Sequence, residues 1–332
     1  MILVLIVNLN ARDKRLVSPK LVRGLDMSGN TENKISSDII IYAKDLSKKF
    51  GDAIAVNSVS LSLAKGGITA ILGENGAGKT TFIHACLGLT NPSSGTLSMF
   101  GQPPGSISVR RRTGSMLQDA DLPDLLSPRE HIELFASYYP DPLNIDVVIG
   151  MCKLTGFADK KYKKLSGGQK RRVQFALAVI GNPDLVFLDE PTTGLDTDTR
   201  KMLWDVVRQL AADGRTIILT THYLEEADAL ADRIVVMHAG KIIADAPTPE
   251  IRSLAGGAVI KCVTALSIKA ISVLPAVISV RRSGRFVEIS TENQTSALQG
   301  LLMEDPNISE LIVKKPSLEE AFERIVHDKE QE

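Results

Sequence analysis

The chain has 332 residues, 44% of them apolar and 23% charged, so it is long enough for two domains and too apolar for an intrinsically disordered protein. Its 39 Lys and Arg residues balance 39 Asp and Glu residues, so the charge of the whole molecule attracts neither nucleic acid nor anionic lipid. Three scattered cysteines exclude a disulfide scaffold and indicate a reducing cytosol, and no apolar run approaches the roughly 20 residues of a membrane-spanning helix.

Residues 1–37 form an N-terminal extension that we do not expect to belong to the fold. Its longest apolar run, Met1–Val7, opens the chain, whereas a secretory signal would place positive charge before that run. Here Arg12 and Lys14 follow it, without a convincing cleavage site. We therefore expect a translation-start artefact or a disordered extension rather than a targeting segment, and Met27 is the better start.

Short β-rich runs alternate with helical segments over residues 38–246, which predicts an α/β domain. The run Ile68–Leu72 reads as a buried strand that leads into a Gly-rich loop and a helix. Leu185–Leu188 and Thr216–Leu219 predict two further buried strands, as in a parallel sheet. Strand signals stop over about 118–180, where helical periodicity predicts a helical insertion in the α/β core.

The rest of the chain predicts a hairpin, a linker over 247–257 and a second, smaller domain over 258–328. Ile234–Met237 and Lys241–Ala244 flank a short turn and predict the hairpin that closes the first domain. The predicted elements of the second domain are, in order, a strand at 258–263, a helix at 267–277, two strands divided at Gly284, a helix at 295–303, a strand at 311–314 and a helix at 317–326. This order is typical of a ferredoxin-like α+β fold, and we expect an accessory or regulatory domain without a catalytic site.

A phosphate-binding loop follows the strand Ile68–Leu72. Its residues are Gly73, Glu74, Asn75, Gly76, Ala77, Gly78, Lys79 and Thr80. The glycines let successive backbone N–H groups turn towards a phosphate at the positive end of a helix dipole. In this pattern Lys79 reaches the β- and γ-phosphates and the Thr80 hydroxyl takes one Mg²⁺ position. The strand, loop and helix together predict a nucleotide site for ATP.

Two adjacent carboxylates end the buried strand Leu185–Leu188. Asp189 suits the coordination shell of Mg²⁺, and Glu190 suits a general base that polarises the attacking water. Ligands of α/β sheets bind at this end of the strands, although acidic residues are also common at helix starts. The pair therefore gains its meaning from the motifs around it.

The segment Leu165–Gln169, of sequence Leu-Ser-Gly-Gly-Gln, precedes that strand. With this segment the chain resembles the nucleotide-binding subunit of an ATP-binding cassette (ABC) transporter over residues 39–245. The resemblance implies a P-loop NTPase cassette in which Ser166, Gly168 and Gln169 contact ATP held by a second copy across a homodimer interface. It also implies that hydrolysis loosens the sandwich of two ATP molecules.

Other family positions are matched residue by residue. The resemblance implies that Phe50 stacks on adenine, although a core Phe at the end of a strand is the alternative. It implies that Gln118 touches Mg²⁺ and the attacking water, and that His222 contacts the γ-phosphate. It further implies nucleotide contacts by Thr81 and, through the loop that connects the two sites, by Asp196.

Two segments resemble the drug-exporter ATPases of the daunorubicin-resistance type. They are Thr221–Asp228 and Pro316–Phe322. The resemblance implies separate membrane-spanning permease subunits and a cytoplasmic location at the inner face of the membrane. A soluble cassette protein that acts on ribosomes or nucleic acid is the alternative, but such proteins usually carry two cassettes or a long coiled coil. This chain has one phosphate loop and no sustained heptads.

Three basic clusters lie at 110–112, 160–164 and 170–172. Because the net charge is zero and aromatic residues make up 5% of the chain, we interpret them as solvated surface, with phosphate-facing charge near the signature, and expect no nucleic-acid partner. Helical residues around Leu125–Tyr139 are the better candidates for docking a permease subunit.

Overall fold

The computed structural model describes residues 38–118, 121–254, 258–314 and 317–330. The extension 1–37 and part of the predicted linker lie outside these residues. The described chain forms two compact units. The first comprises the residues up to Ile68 together with Gly78–Thr220, and the second comprises Thr69–Ala77 and the residues from Thr221 onward.

The strands are β1 (Ile39–Phe50), β2 (Ala53–Ala64), β3 (Ile68–Leu72), β4 (Ser94–Met99), β5 (Thr113–Met116), β6 (Leu185–Asp189), β7 (Thr216–Thr221), β8 (Arg233–His238), β9 (Lys241–Pro247), β10 (Val259–Val263), β11 (Val277–Ser283), β12 (Phe286–Thr291) and β13 (Ser309–Lys314). The helices are α1 (Lys79–Cys86), α2 (Ile107–Arg111), α3 (Pro128–Ala136), α4 (Ile145–Met151), α5 (Gly167–Val179), α6 (Thr197–Ala212), α7 (Leu224–Leu230), α8 (Thr248–Ser253), α9 (Ile268–Ser272), α10 (Gln294–Glu304) and α11 (Leu318–Glu330). None of the described helices combines the length and the apolar character that a membrane span requires.

The first unit carries the strand that ends at the predicted carboxylates. Strands β2, β1 and β4 form an antiparallel sheet in that order, and β5, β6 and β7 pair in parallel. Every residue of β6 is buried, which suits a parallel strand whose two faces are both covered. The strand therefore delivers Asp189, and Glu190 after it, at the carboxyl edge of the sheet, where Asp189 is paired with Thr220.

The helical insertion predicted for about 118–180 is present in the first unit. Its described residues from 121 onward form α3, α4, a 3₁₀ turn at Tyr162–Lys164 and α5, without a strand. The start of α3 shows why the chain turns helical there. Ser127 accepts a hydrogen bond from the Glu130 amide, the Glu130 side chain accepts one from the Ser127 amide, and Pro128 occupies the first helical position.

The second unit contains the strand before the phosphate loop and the small α+β fold. Strand β3 pairs in parallel with β8, and β8 forms the predicted hairpin with β9. Ala239 and Gly240 both have positive φ, of 46° and 77°, as a tight hairpin turn requires. The four later strands form an antiparallel sheet in the order β11-β12-β10-β13, which confirms the predicted ferredoxin-like arrangement. Helices α9 and α10 cover its core through Ile271, Ala297 and Leu301.

The helix predicted at 267–277 is wrong in its second half. Helix α9 ends at Ser272, and β11 begins at Val277. Pro275 explains the difference, because proline lacks the N–H that a helix needs and disfavours helical backbone at the preceding residue. The predicted domain limits at 246 and 258 stay a prediction, since the second unit includes strands from both sides of them.

Candidate functional site

The first part of the phosphate loop, 73–77, lies in the second unit and is shaped by close backbone contacts. A Cβ at Gly73 would lie 2.3 Å from the carbonyl oxygen of Met237, so only glycine fits there. The Ala77 carbonyl accepts a hydrogen bond from the Gly240 amide at 3.1 Å, which ties the loop to the β8–β9 hairpin. A Cβ at Gly76 would meet nothing within 4 Å, so this side of the loop is open to a ligand.

Helix α1 starts at Lys79 in the first unit, and no side chain caps it. Its N-cap residue Gly78 has a φ of 102°, a conformation that favours glycine. A helix start without a side-chain cap presents amide groups and a positive dipole end to an anion. Lys79 is buried, and burial lowers the pKa of its amine while the charges of Glu190 and Asp189 act in the opposite direction. The amine and the helix start suit a phosphate group.

The Asp189 carboxylate is buried and has one oxygen available to a cation. Its Oδ1 accepts hydrogen bonds from the hydroxyls of Thr80, at 3.3 Å, and Thr220. Its Oδ2 is buried without a hydrogen-bond partner. A buried carboxylate oxygen in this state is costly unless a cation or donor satisfies it. Because Mg²⁺ prefers carboxylate and hydroxyl oxygens, Asp189 and Thr80 fit the predicted metal position.

Glu190 occupies a strained backbone conformation that its neighbours hold in place. Its φ is 50°, in the left-handed region that non-glycine residues rarely adopt. Its amide donates to the Thr220 carbonyl at 3.0 Å, and its Oε2 accepts from the Thr193 hydroxyl at 3.3 Å. The Gln118 side-chain amide donates to the same Oε2 at 3.5 Å. Strained backbone of this kind concentrates at functional sites. Glu190 is only 7% exposed, so its carboxylate is held within the protein.

Lys79, Thr80, Gln118, Asp189 and Glu190 are therefore brought together in the first unit, as the sequence predicted. Thr81 follows them on α1. The contacts between these side chains join three segments that are distant in the sequence, namely the start of α1, the end of β5 and the end of β6.

The signature segment starts helix α5, as predicted. The Ser166 hydroxyl accepts from the Gln169 amide at 3.3 Å, and the Gln169 side chain accepts from the Ser166 amide at 3.0 Å. A Cβ at Gly168 would lie 3.5 Å from the Leu195 side chain, an ordinary contact. Ser166 and Gln169, which are both predicted to contact ATP, thus also stabilise the start of α5.

Asp196 and Phe50 belong to the same unit. The Asp196 carboxylate caps α6 by accepting from the Thr199 amide and hydroxyl, both at 2.8 Å, and these hydrogen bonds lower its pKa. Phe50 is 54% exposed, with the Lys48 amine 4.8 Å from its ring centroid. The alternative of a core phenylalanine is therefore wrong, and the ring is accessible to a flat partner.

His222 lies in the second unit, beside the loop residues Gly73 and Glu74. These three residues line a cavity of about 80 Å³ together with Thr221, Leu224 and Phe322. The imidazole is exposed and lies 4.1 Å from the Tyr223 ring, centroid to centroid. The second unit thus brings the predicted switch histidine to the phosphate loop.

Sequence reasoning missed several residues that contact the predicted ones, among them Thr220, Thr193 and Phe322, and misread Arg171. Thr220 contacts both Asp189 and Glu190, but a threonine at the end of a buried strand carries no distinctive signal. Phe322 lay in a segment noted only for its family resemblance. The sequence interprets Arg171 as solvated or phosphate-facing charge near the signature, whereas the side chain is half-buried and donates to backbone carbonyls.

Comparison with known proteins identifies the family that the motifs resemble. A family model described as "ABC transporter" matches residues 56–193, and a model of an AAA domain matches residues 159–228. Nod factor export ATP-binding protein I of Burkholderia lata is 40% identical over 226 residues, which are 66% of this chain and 74% of that protein. Daunorubicin resistance ATP-binding protein DrrA3 of Streptomyces coeruleorubidus is 33% identical over 307 residues, 88% of this chain and 97% of that protein.

A solved structure shows the same fold. The dimeric, post-hydrolysis structure of an ATP-binding cassette bound to ADP and Pi is 26% identical, with a TM-score of 0.58 over 63% of this chain and 98% of that one. The similarity to the Streptomyces protein extends over nearly the whole of both chains, beyond the cassette itself. The chain therefore belongs to the ATP-binding subunits of ABC transporters and is an ATPase with the P-loop NTPase fold.

Proposed function

We propose that this chain is the ATP-hydrolysing motor subunit of an exporter. In this proposal two copies close around two ATP molecules and thereby drive separate membrane permease subunits. One observation supports it above all others: buried Asp189 and Glu190 lie beside Thr80 and Gln118, with distances of 3.3 and 3.5 Å between the paired side chains. That arrangement suits hydrolysis of a bound polyphosphate rather than binding alone.

Each side chain of the group has a distinct task in hydrolysis. Lys79 places a positive charge at the β- and γ-phosphates, where negative charge develops during phosphoryl transfer. Glu190 orients the attacking water and accepts its proton. Gln118 and Thr193 both donate hydrogen bonds to Oε2 of Glu190, which fixes the orientation of the carboxylate. In this proposal His222, which lines a cavity with Gly73 and Glu74, contacts the γ-phosphate, and the exposed Phe50 ring stacks on the adenine.

We assign the Mg²⁺ position to Thr80, Gln118 and Asp189. When bound, Mg²⁺ neutralises charge on the β- and γ-phosphate oxygens. The Asp189 Oδ2, which is buried and unpartnered, supports this assignment, because a cation would satisfy it. Thr80 and Thr220 fix the direction of the same carboxylate through its other oxygen.

The second half of each ATP site belongs, in this proposal, to the partner copy. Ser166, Gly168 and Gln169 would meet the γ-phosphate bound to the other subunit, and the loop that ends at Asp196 would connect the two sites. A helix N-terminus is a favourable place for a phosphate, and α5 begins at Gly167. The dimeric state of the related cassette with ADP and Pi supports this arrangement.

The names of two relatives support export as the direction of transport. One is a Nod factor export protein and the other a daunorubicin resistance protein, so we propose drug-like or hydrophobic cargo for this chain. The permease partner would hold the ATPase at the inner face of the cell membrane. No observation favours the alternative of a cassette protein that acts on ribosomes or nucleic acid.

The small α+β fold has, in our proposal, a regulatory role. Its terminal helix α11 packs against α7, α8 and β9 through an apolar face that includes Leu318 and Ala321, both buried. Helix α7 begins two residues after His222, and Phe322 of α11 lines the same cavity as that histidine. In this proposal the contact connects residues 258–328 with His222 and with the phosphate-loop residues Gly73 and Glu74.

Replacement of Glu190 by Gln tests the motor proposal. Glutamine keeps the shape of the side chain and removes the proton acceptor, so ATP should bind while turnover falls by about a hundredfold or more. Size-exclusion chromatography with Mg²⁺ and ATP should then detect a trapped dimer. Glu323→Gln, an exposed change on α11, is the matched control and should hydrolyse ATP like the unmodified chain. Unchanged turnover in Glu190→Gln would exclude Glu190 from the mechanism.

A further inference from the structure

We propose that Arg171 is a positioning residue that fixes the backbone of both Gln118 and Glu190 from the signature helix. The proposal rests on the proposed function, because it concerns how the hydrolytic side chains are held. From the sequence, Arg171 is expected only to contribute solvated or phosphate-facing charge near the signature.

The contacts of Arg171 join three segments of the first unit. Its Nη1 donates to the carbonyls of Leu117 and Gln118, both at 3.3 Å, and to the side chain of Gln174 at 3.2 Å. Its Nη2 donates to the Glu190 carbonyl at 3.2 Å. Three of these four acceptors are backbone carbonyls at the ends of β5 and β6, whereas Arg171 itself belongs to α5.

Two of these three carbonyls belong to Gln118 and Glu190, the residues whose side chains meet. Gln118 contacts Glu190 at 3.5 Å, near the limit of a hydrogen bond, so a small shift of either backbone would break the contact. The backbone of Glu190 is strained, with a φ of 50°, and needs fixed partners on both sides to stay there. The Thr220 carbonyl holds its amide, and Arg171 holds its carbonyl.

Only a guanidinium group suits this geometry. Its donors spread over a rigid plane and can reach several acceptors at once, whereas a lysine amine is a compact point charge. The neighbouring cations do other work. Lys170 lies 5.0 Å from the Tyr162 ring centroid, and Arg172 donates to the Lys153 carbonyl at 2.9 Å. Of these three adjacent basic residues, Arg171 is the one that donates to the backbone carbonyls of Gln118 and Glu190.

The position of Arg171 has a functional consequence. The segment after Leu117 leads into the helical insertion. Arg171 lies on α5, which belongs to the same insertion and starts with the signature segment. A shift of α5 would therefore move the guanidinium away from the two carbonyls. Because Gln118 and Glu190 act on water rather than on the phosphate loop, losing Arg171 should impair turnover more than nucleotide binding.

Steady-state kinetics of two variants provide the first test. We expect Arg171→Met to lower kcat by at least about tenfold while KM and the Kd of a fluorescent ATP analogue change less than about threefold. Arg171→Lys should fail to restore kcat, because it keeps the charge but not the planar donors. Arg208→Met, which removes an exposed guanidinium on α6, is the matched control and should leave kcat within about twofold. A kcat of Arg171→Met or Arg171→Lys equal to that of the unmodified chain would overturn the proposal.

Amide hydrogen exchange provides a second readout that does not depend on turnover. Arg171→Met should speed exchange in peptides that cover 113–118 and 190–193 by at least about fivefold, with no change around Arg208. Unchanged exchange in these peptides would overturn the positioning role even if kcat fell. If the unmodified chain hydrolysed no ATP but Arg171→Met still exchanged faster, the positioning role would be supported and the proposed function would be refuted.

Discussion

Thr220 links the two carboxylate residues, and its replacement by Val gives the sharpest test of the site. Its side chain is completely buried, donates to Asp189 and accepts from the Glu190 amide at 3.2 Å. Valine keeps the branched shape and removes the hydroxyl. Hydrogen bonds to charged groups contribute about 1.5–3 kcal/mol, and the Glu190 amide keeps its bond to the Thr220 carbonyl. We therefore expect Thr220→Val to lower the free energy of unfolding by about 2 kcal/mol.

Thr216→Val on the same strand is the matched control. Thr216 is also buried, and its hydroxyl accepts from the Gly66 amide at 2.8 Å, a bond between neutral groups. Its loss should lower the free energy of unfolding by about 1 kcal/mol. Urea denaturation followed by circular dichroism would measure both variants.

The effect on nucleotide binding should separate the two variants further. Losing a partner that orients a metal ligand typically lowers metal affinity by about 10–100-fold. Thr220→Val should therefore need at least about tenfold more Mg²⁺ for half-maximal ATPase activity, with nucleotide binding in EDTA unchanged. Thr216→Val should match the unmodified chain in both assays. Equal Mg²⁺ requirements in the two variants would refute the inference that Thr220 holds Asp189 for the metal.

Two further predictions concern the second unit. Gly73→Ala should lower the free energy of unfolding by about 1–3 kcal/mol and abolish nucleotide binding, because the new Cβ would lie 2.3 Å from the Met237 carbonyl oxygen. Gly76→Ala is the control, because a Cβ there meets nothing within 4 Å. Urea denaturation should show a smaller loss of stability for Gly76→Ala than for Gly73→Ala. Phe322→Ala should raise or lower kcat by at least about threefold, because Phe322 lines the cavity beside His222. Val326→Ala is the control: Val326 is buried on the same helix but does not line the cavity, so this variant should lose only stability. If the two variants had the same kcat, Phe322 would have no part in regulation.

The phosphate loop and the carboxylate strand could be predicted because each depends on local rules. Glycine at a close backbone approach, lysine at a helix start and carboxylates after a buried strand are all visible in the sequence. The run Leu185–Leu188 reads as a strand because buried parallel strands are apolar at every position. The helix at 267–277 was overextended, because its apolar pattern continues past the point where Pro275 stops it.

Thr220 and Arg171 could not be predicted because their roles depend on tertiary contacts. Nothing near Thr220 in the sequence indicates that the neighbouring strand ends in Asp189 and Glu190. Arg171 stands in a run of three cations, and only the packing of α5 against the ends of β5 and β6 separates its role from that of its neighbours. Contacts between segments 19 to 54 residues apart along the chain decide both cases.

The proposed phosphate contact of the signature helix would leave the helix's own N-terminal cap intact. The Ser166 hydroxyl already accepts a hydrogen bond from the Gln169 amide, yet a hydroxyl that accepts one bond still has its proton to donate. The Gln169 side chain holds the Ser166 amide, so the first turn is ordered before any partner binds. An approaching γ-phosphate would therefore gain a donor and a helix dipole without paying to order the turn. Closure of the proposed dimer should then depend mainly on whether ATP occupies the opposite phosphate loop, as a motor that distinguishes ATP from ADP requires.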